Sequence, residues 1–366
     1  HQLYSIDRAE ASTYADLFRF LNSGFAVLVL DGADSALVFG IQGYDKRSVS
    51  EPSGEDNVMG AKDGFIEVVR VNMSLLRRRM KTPQLKLELF VKGSKSQTDL
   101  CLCYMADRVP QSLIAQIKAR LDEMELESIL SSGYLQPFLE NRRGCLFDTV
   151  GTTQRPDVLC AKLLEGRVGL LIDGTPFALV IPKLFCESFQ TMDDYCYRPA
   201  YATLVRWIKY AAFLVAVLLP ALYVAIALHH PELLNRTLLL ILADAEENAP
   251  ISLTAEAIGV LLVYEIIREA GLRLPKAVGG AVSIVAGLII GDAAVASGLI
   301  SPPMLTVTAI AVIAGFVVPD LAQSITLLRL AFLLIAGFWG LFGISLLGAA
   351  VLFNLCAGES FGFPIT

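Results

Sequence analysis

The uncharged run from Tyr210 to Leu228, inside WIKYAAFLVAVLLPALYVAIALHH, restricts the possible folds more than any other stretch of the chain. About twenty apolar residues suffice to cross the ~30 Å hydrocarbon core of a bilayer. No water reaches the backbone there, so such a run must be helical. Pro220 interrupts it, which a helix packed against neighbours tolerates. TLLLILA (237–243) is too short to span and suits an interfacial or re-entrant piece. AEAIGVLLVYEII, AVGGAVSIVAGLIIGDAAVASGLI and MLTVTAIAVIAGFVV follow. The last run, Ile325 to Cys356, exceeds one ordinary crossing and is expected to tilt, or to bend near Gly337 to Gly343. By length alone the expectation is about four or five crossings.

Charge is distributed unevenly. Of 366 residues 54% are hydrophobic, and mean hydropathy is +0.57, yet most ionisable residues precede Arg206. The expected fold class is an α/β two-lobed N-terminal soluble domain followed by an all-α multipass transmembrane domain. The expected domains are an α/β subdomain over 1–58, a second over 59–205, and a helical domain over 206–366, truncated at its C-terminal end. GFAVLVLDGADSALVFGI reads as a hairpin turning at Asp31–Asp34, and PQLKLELFVKGSKSQTDLCLCYMA as another. QGYDKRSVSEPSGEDN divides the two lobes as a linker. Leu113, Ile117 and Leu121 have helical spacing, with Gln111 or Ser112 as the expected cap. GRVGLLIDGTPFALVIP turns at Asp173-Gly174.

Several function classes lose support. A net charge of −6 gives no basis for a nucleic-acid partner. The seven cysteines are scattered without a C-x-x-C pair, which fits a reduced compartment better than a disulfide framework. Cys101 and Cys103 are expected on one side of a strand. Three histidines build no credible zinc site with them, and His229-His230 reads as a helix-end loop. LLRRRMK (75–81) reads as a solvated or membrane-facing helix surface. No secretory signal opens the chain, and the absence of an initial Met marks it as a fragment. No cofactor, metal or catalytic residue is expected, since no nucleophile, base and donor set is visible.

The charges that remain in the apolar part are the candidate functional residues. LLVYEIIREAGLRLP packs Glu265, Arg268, Glu269 and Arg273 together. On a helix Glu265, Arg268, Glu269 and Leu272 lie close to one face, and Glu265 pairs with Arg268 at i,i+3. Arg268 and Arg273 read as a headgroup boundary and charge partners, because Pro275 stops the helix soon after. Glu265 is deeper, and an ionisable group at depth faces a bundle interior or an aqueous path. Glu256, Glu269 and Asp292 are the further candidates for an ion pathway or membrane-buried charge. Asp292 must pair with a base or line water. Gly280, Gly287 and Gly291 form a small-residue stripe suited to helix packing. Arg198, Arg206 and Lys209 before the first crossing, with Arg268, Arg273 and Lys276, put the N-terminal domain and the 268–276 loop on the cytoplasmic side by the positive-inside rule.

On longer runs the chain resembles a known family. They are GFIEVVRVNMSLLRRRMKTPQL, SILSSGYL, TQRPDVLCAKLLEGRVGLLIDGTPFALVIP, MDDYCYRP, PALYVAIALHHPELL and YEIIREAGLRLPKAVGGAVSIVAGLIIGDAAVASGLIS. The sequence resembles the A subunits of spore germinant receptors, the GerA family, including its stage V sporulation relatives, from about Gly64 to the end. It departs at APIS (249–252), where the family has a VPFP-like tetrapeptide, and at Asp292 and Ser297, where Gln and Glu are common. Asn354 stands where a His is common. The resemblance implies a multipass protein of the spore inner membrane with a two-lobed cytoplasmic domain. It implies partners: a transporter-like B subunit that senses nutrients, a lipoprotein C subunit, and further copies in a ring conducting monovalent cations when germinant binds. The other readings are a non-conducting membrane scaffold or modulator of germination receptors, and a secondary transporter. An enzyme is not expected.

Overall fold

The computed structural model of the chain describes residues 8–22, 25–40, 47–52, 54–55, 57–140, 145–247, 250–274 and 276–366, without the side chains of 238, 241, 244–247, 276–283 and 286. Two compact units emerge. The first comprises His1–Asp56, Ala61–Leu139 and Val150–Ile181, and the second Asn57–Gly60, Glu140–Thr149 and Pro182–Thr366.

The first unit opens with a small lobe: β1 (Arg8–Ala11), α1 (Tyr14–Asn22), β2 (Ala26–Leu28) and β3 (Ala36–Phe39). The strands are antiparallel in the order β1-β3-β2, with Val27 opposite Val38. The hairpin expected around Asp31–Asp34 is formed, and Gly32 takes φ +80° in its turn. Ala11, Phe25, Ala36 and Val38 make its core.

The larger lobe contains α2 (Val69–Arg79), β4 (Leu85–Lys92), β5 (Thr98–Met105), α3 (Gln111–Asp122), α4 (Gln136–Leu139), β6 (Gly151–Thr153), α5 (Pro156–Leu164), β7 (Val168–Ile172) and β8 (Ala178–Ile181). Its sheet runs β4-β5-β7-β8-β6, every pair antiparallel. Strand alternation sends Leu85, Cys101, Cys103, Met105 and Leu171 to one face, where Leu76 of α2 and Leu159 and Leu163 of α5 cover them. The two thiols lie side by side on that face, Sγ to Sγ 3.8 Å. On the other face Glu88 is opposite Leu102 and takes Lys118 of α3 at 2.5 Å. Leu113, Ile117 and Leu121 are buried, as their spacing predicts. The cap of α3 differs from expectation: Pro110 occupies it and no side chain bonds there. Proline's fixed φ serves a helix start without needing an amide. Of the basic cluster 75–81, Arg78 and Arg79 both converge on Asp63.

The turn between β7 and β8 also closes α2. Gly174 takes φ +86° and donates its amide to Glu67 O at 2.7 Å. That places Asp173 Oδ1 2.9 Å from the Val69 amide, one of the orphan donors at the start of α2. Val68, the residue at the cap position itself, offers no side-chain bond.

The second unit is helical: α6 (Asp193–Cys196), α7 (Pro199–His229), α8 (Arg236–Glu247), α9 (Leu253–Arg273), α10 (Lys276–Ala296), α11 (Pro302–Phe316) and α12 (Ala322–Ala357). Its core joins Ala216, Val217, Ala221 and Ala225 of α7 to Ile325, Leu328, Phe332 and Ala336 of α12. A second cluster adds Leu253, Ala257 and Leu261 of α9 and Met304 of α11. The bend expected near Gly337 to Gly343 is present: Gly340 has φ 60° and ψ −144°, and α12 continues beyond it. Two helical stretches, Pro199–His229 and Pro319–Ala357, are long and apolar enough to cross a membrane among the described residues, against about four or five expected by length. The expectation of an all-α part needs one correction. After α12 the chain folds into a hairpin, β9 (Glu359–Ser360) with β10 (Phe363–Pro364), turning at Gly362 with φ +81°.

Replacing Asp173 by Ala removes a cap held by a residue 104 positions away. A loss of about 1 kcal/mol is expected, read as a lower urea midpoint.

Candidate functional site: charges in the helical unit

α9 buries one stripe. Leu253, Glu256, Ala257, Val260 and Leu261 are buried on it, and the same spacing carries it on to Glu265 and Arg268. Glu265 Oε2 lies 2.5 Å from Arg268 Nη2, the i,i+3 pair the spacing predicts. Thr326 of α12 completes a triad: its hydroxyl donates to Glu265 Oε1 at 3.1 Å and accepts from Arg268 Nη1 at 3.4 Å. Arg268 also lies 6.0 Å from the centre of the Tyr264 ring. The Glu265 and Arg268 side chains are 20% and 33% exposed, so the pair is partly wetted. Glu269 and Leu272, grouped with them by sequence, are exposed instead. Glu269 Oε1 takes Arg273 Nη2 at 2.6 Å, an exposed i,i+4 pair of small energetic weight.

Glu256 is buried and engaged. Its Oε1 accepts the Ser301 amide at 2.6 Å and the Ser301 hydroxyl at 2.7 Å. Ser301 is the cap residue of α11, so this carboxylate sits where a helix start favours negative charge. Asp292 is exposed on α10 and has no hydrogen bond or ion pair among the described residues. A side chain at Gly287 would meet nothing within 4 Å, and one at Gly291 would meet Leu305 Cδ2 at 3.8 Å. The surroundings of Gly280 lie outside the described residues. The tight approaches fall on α12: a Cβ at Gly337 would come within 2.6 Å of Thr254. His229 Nε2 bonds Gly337 O at 3.0 Å, and His230 Nδ1 lies 3.2 Å from Glu232.

Two sets of charges escaped the sequence reading. Arg329, alone in the apolar run after Ile325, is 3% exposed. Its Nε donates to Ala216 O at 2.7 Å and its Nη2 to Ala311 O at 3.2 Å. A charge in the middle of an apolar run was the available signal. The other set surrounds Asp194, whose side chain is 1% exposed. Arg206 Nε reaches it at 3.0 Å, Lys209 Nζ at 3.3 Å and the Thr191 hydroxyl at 3.1 Å. Next to it, Asp193 accepts the amides of Val58 at 3.2 Å and Met59 at 2.9 Å. The MDDY segment thus anchors both the start of α7 and the 57–60 segment.

Burial pushes the Asp194 carboxyl up, but the Arg206 guanidinium, the Lys209 ammonium and Thr191 outweigh it and hold the group below its ordinary 3.8. A carboxylate depressed in the fold stabilises it above its unfolded value, and that stabilisation is lost as pH falls through the native value. The thermal midpoint is therefore expected to fall more steeply below about pH 4 in the native protein than in Asp194→Asn. Parallel profiles for the two would remove this role.

Comparison with known proteins bears on the family of the chain. Residues 1–366 match the profile of the Bacillus/Clostridium GerA spore germination protein. Spore germination protein KA of Bacillus subtilis (strain 168) is 39% identical over 360 residues, covering 98% of this chain and 66% of that protein. Spore germination protein GerLA of Bacillus cereus is 33% identical over 357 residues, covering 97% of this chain and 73% of that protein. The crystal structure of the N-terminal domain of the A subunit of the Bacillus megaterium spore germinant receptor GerK3 is 33% identical, covering 49% of this chain and 64% of that one at a TM-score of 0.29. The chain thus spans 66% of the length of the first of these relatives. With the family's profile matched along its whole length, this chain belongs to the GerA family of spore germination proteins.

Proposed function

We propose that the chain is the membrane subunit of a spore germinant receptor, assembling with copies of itself and passing monovalent cations when a nutrient germinant binds. In this reading it works in the spore inner membrane beside transporter-like B and lipoprotein C subunits, as a multipass protein with its α/β domain cytoplasmic. Its work is then not enzymatic.

One observation carries the membrane part. Only 33% of the apolar window is buried in each of the two longest apolar stretches, whereas a core helix of a soluble protein would be mostly buried. Phe338, Trp339, Phe342 and Phe353 of α12 are all exposed, a surface that water penalises and lipid accepts. With α7 and α12 as the long crossings, α9, α10 and α11 complete a multipass bundle. Glu265 supports the conduction part, because it is a half-buried acid inside such a bundle and attracts cations over anions. Glu269 and Asp292, both exposed, are available to a pathway shared with neighbouring subunits.

A specific observation favours a second reading. Glu256 and Glu265 are both satisfied within the chain, as in a non-conducting scaffold that modulates germination receptors. A third, secondary transport, draws on the broken helix at Gly340 and would show as substrate counterflow in liposomes.

The test is current across a planar bilayer holding the full-length protein, with Glu265→Gln beside it. Discrete cation-selective openings, reduced roughly tenfold in assembled Glu265→Gln protein, are the expected result, a change of about 1.4 kcal/mol in barrier. Equal currents in the two would remove Glu265 from the pathway. Silence after verified insertion of the protein together with its partner subunits would favour the scaffold.

A further inference from the structure

The two longest helices of the second unit each carry a backbone defect. α7 contains Pro220, which has no amide hydrogen, and α12 contains Gly340 at φ 60° and ψ −144°. In an unbroken α-helix the carbonyl of residue 216 accepts from the amide of residue 220. Proline removes that donor and leaves the Ala216 carbonyl facing an apolar interior, where an unpaired polar group is costly. Arg329 Nε donates to this same oxygen at 2.7 Å. The relation also runs the other way: His229, the last residue of α7, bonds Gly337 O at 3.0 Å beside the break in α12. A carbonyl only accepts, so His229 carries its proton on Nε2.

Neither usual role of a buried arginine fits Arg329. No carboxylate lies within ion-pair distance of it among the described residues, so it is not half of a salt bridge. At 3% exposure it does not line water. What it does touch is backbone: Ala216 O on α7, and Ala311 O on α11 at 3.2 Å. A side chain at Gly315 would come within 3.2 Å of Nη2, so that glycine keeps the guanidinium's place open.

We propose that Arg329 is a positioning residue that stands in for the amide Pro220 lacks, so that α7 bends on a proline hinge held by one removable latch. Such a latch requires no ion pathway and is independent of the function proposed above. Once the amide is restored, the arginine is no longer needed at that oxygen.

The experiment compares the full-length native protein with Arg329→Met, Pro220→Ala and the double variant, in detergent. Phe332→Ala, from the same buried face of α12, serves as control, alone and with Pro220→Ala. Arg329→Met is expected to lower the thermal midpoint by roughly 5 °C, and Pro220→Ala to recover most of that loss while recovering none for Phe332→Ala. Spin labels at the exposed positions Thr203 and Leu228 report the hinge itself. The distance distribution between them is expected to broaden in Arg329→Met and narrow again in the double variant. If Arg329→Met does not accumulate, restored accumulation in the double variant supports the proposal and failure to restore it overturns it. Additive effects, equal rescue of Phe332→Ala, or an unchanged distance distribution would each overturn it.

Discussion

An apolar helical bundle cannot leave backbone polar groups unpaired, and the second unit is arranged around meeting that demand where its helices are imperfect. α7 and α12 share its main core; α7 lacks an amide at Pro220 and α12 breaks at Gly340. Two uninterrupted helices could slide or rotate against each other with little change in hydrogen bonding. α7 and α12 are fixed in register, because the Arg329 guanidinium must reach Ala216 O while His229 must reach Gly337 O. Arg329 extends the same constraint to α11 through Ala311. Met304 then brings α11 against Leu253, Ala257 and Leu261 of α9.

The same logic accounts for where charge is tolerated. Glu256 lies deep because the start of α11 supplies an amide and a hydroxyl to one oxygen. Asp194 lies deep because two cations and a hydroxyl converge on it from α7 and from Thr191. A buried carboxylate without such partners would take up a proton. Glu265 and Arg268 sit at an intermediate level, each the other's main partner, with Thr326 bonding both. Glu269 and Arg273 are exposed and pair only with each other. Along one helix the ionisable side chains therefore grade from buried and engaged to exposed and paired, which the composition of the LLVYEIIREAGLRLP segment does not reveal.

What the sequence disclosed follows the range of the interaction concerned. Turn chemistry is local, so the hairpins around Asp31–Asp34 and Asp173-Gly174 were legible. Spacing along a helix is local too, and it placed Glu265 against Arg268 and the inward face of α3. The break in α12 was legible from its length and its glycines. The partners of Glu256 and Arg329 are 45 and 113 positions away, and no local pattern announces them. Pro220 was visible, and Arg329 was visible, but only the packing of α7 on α12 joins the two. Glu265 and Glu269 differ in exposure although four residues apart on one helix, because helical geometry places residues on a face and only the neighbouring helices decide how wide the buried face is.

Gly287 and Gly291 make the remaining contrast instructive. Small residues permit close helix approach, yet Gly337 of α12 is a glycine pressed against another helix, by Thr254 of α9, while a Cβ at Gly287 would enter open space. A glycine stripe therefore records a possibility of contact, and a contact within this chain exists only where another helix arrives. The charges obey the same distinction. Glu256 and Arg329 have their partners inside the chain and so serve its architecture, whereas Asp292, exposed on the same helix as Gly287, has no hydrogen-bond or ion-pair partner among the described residues.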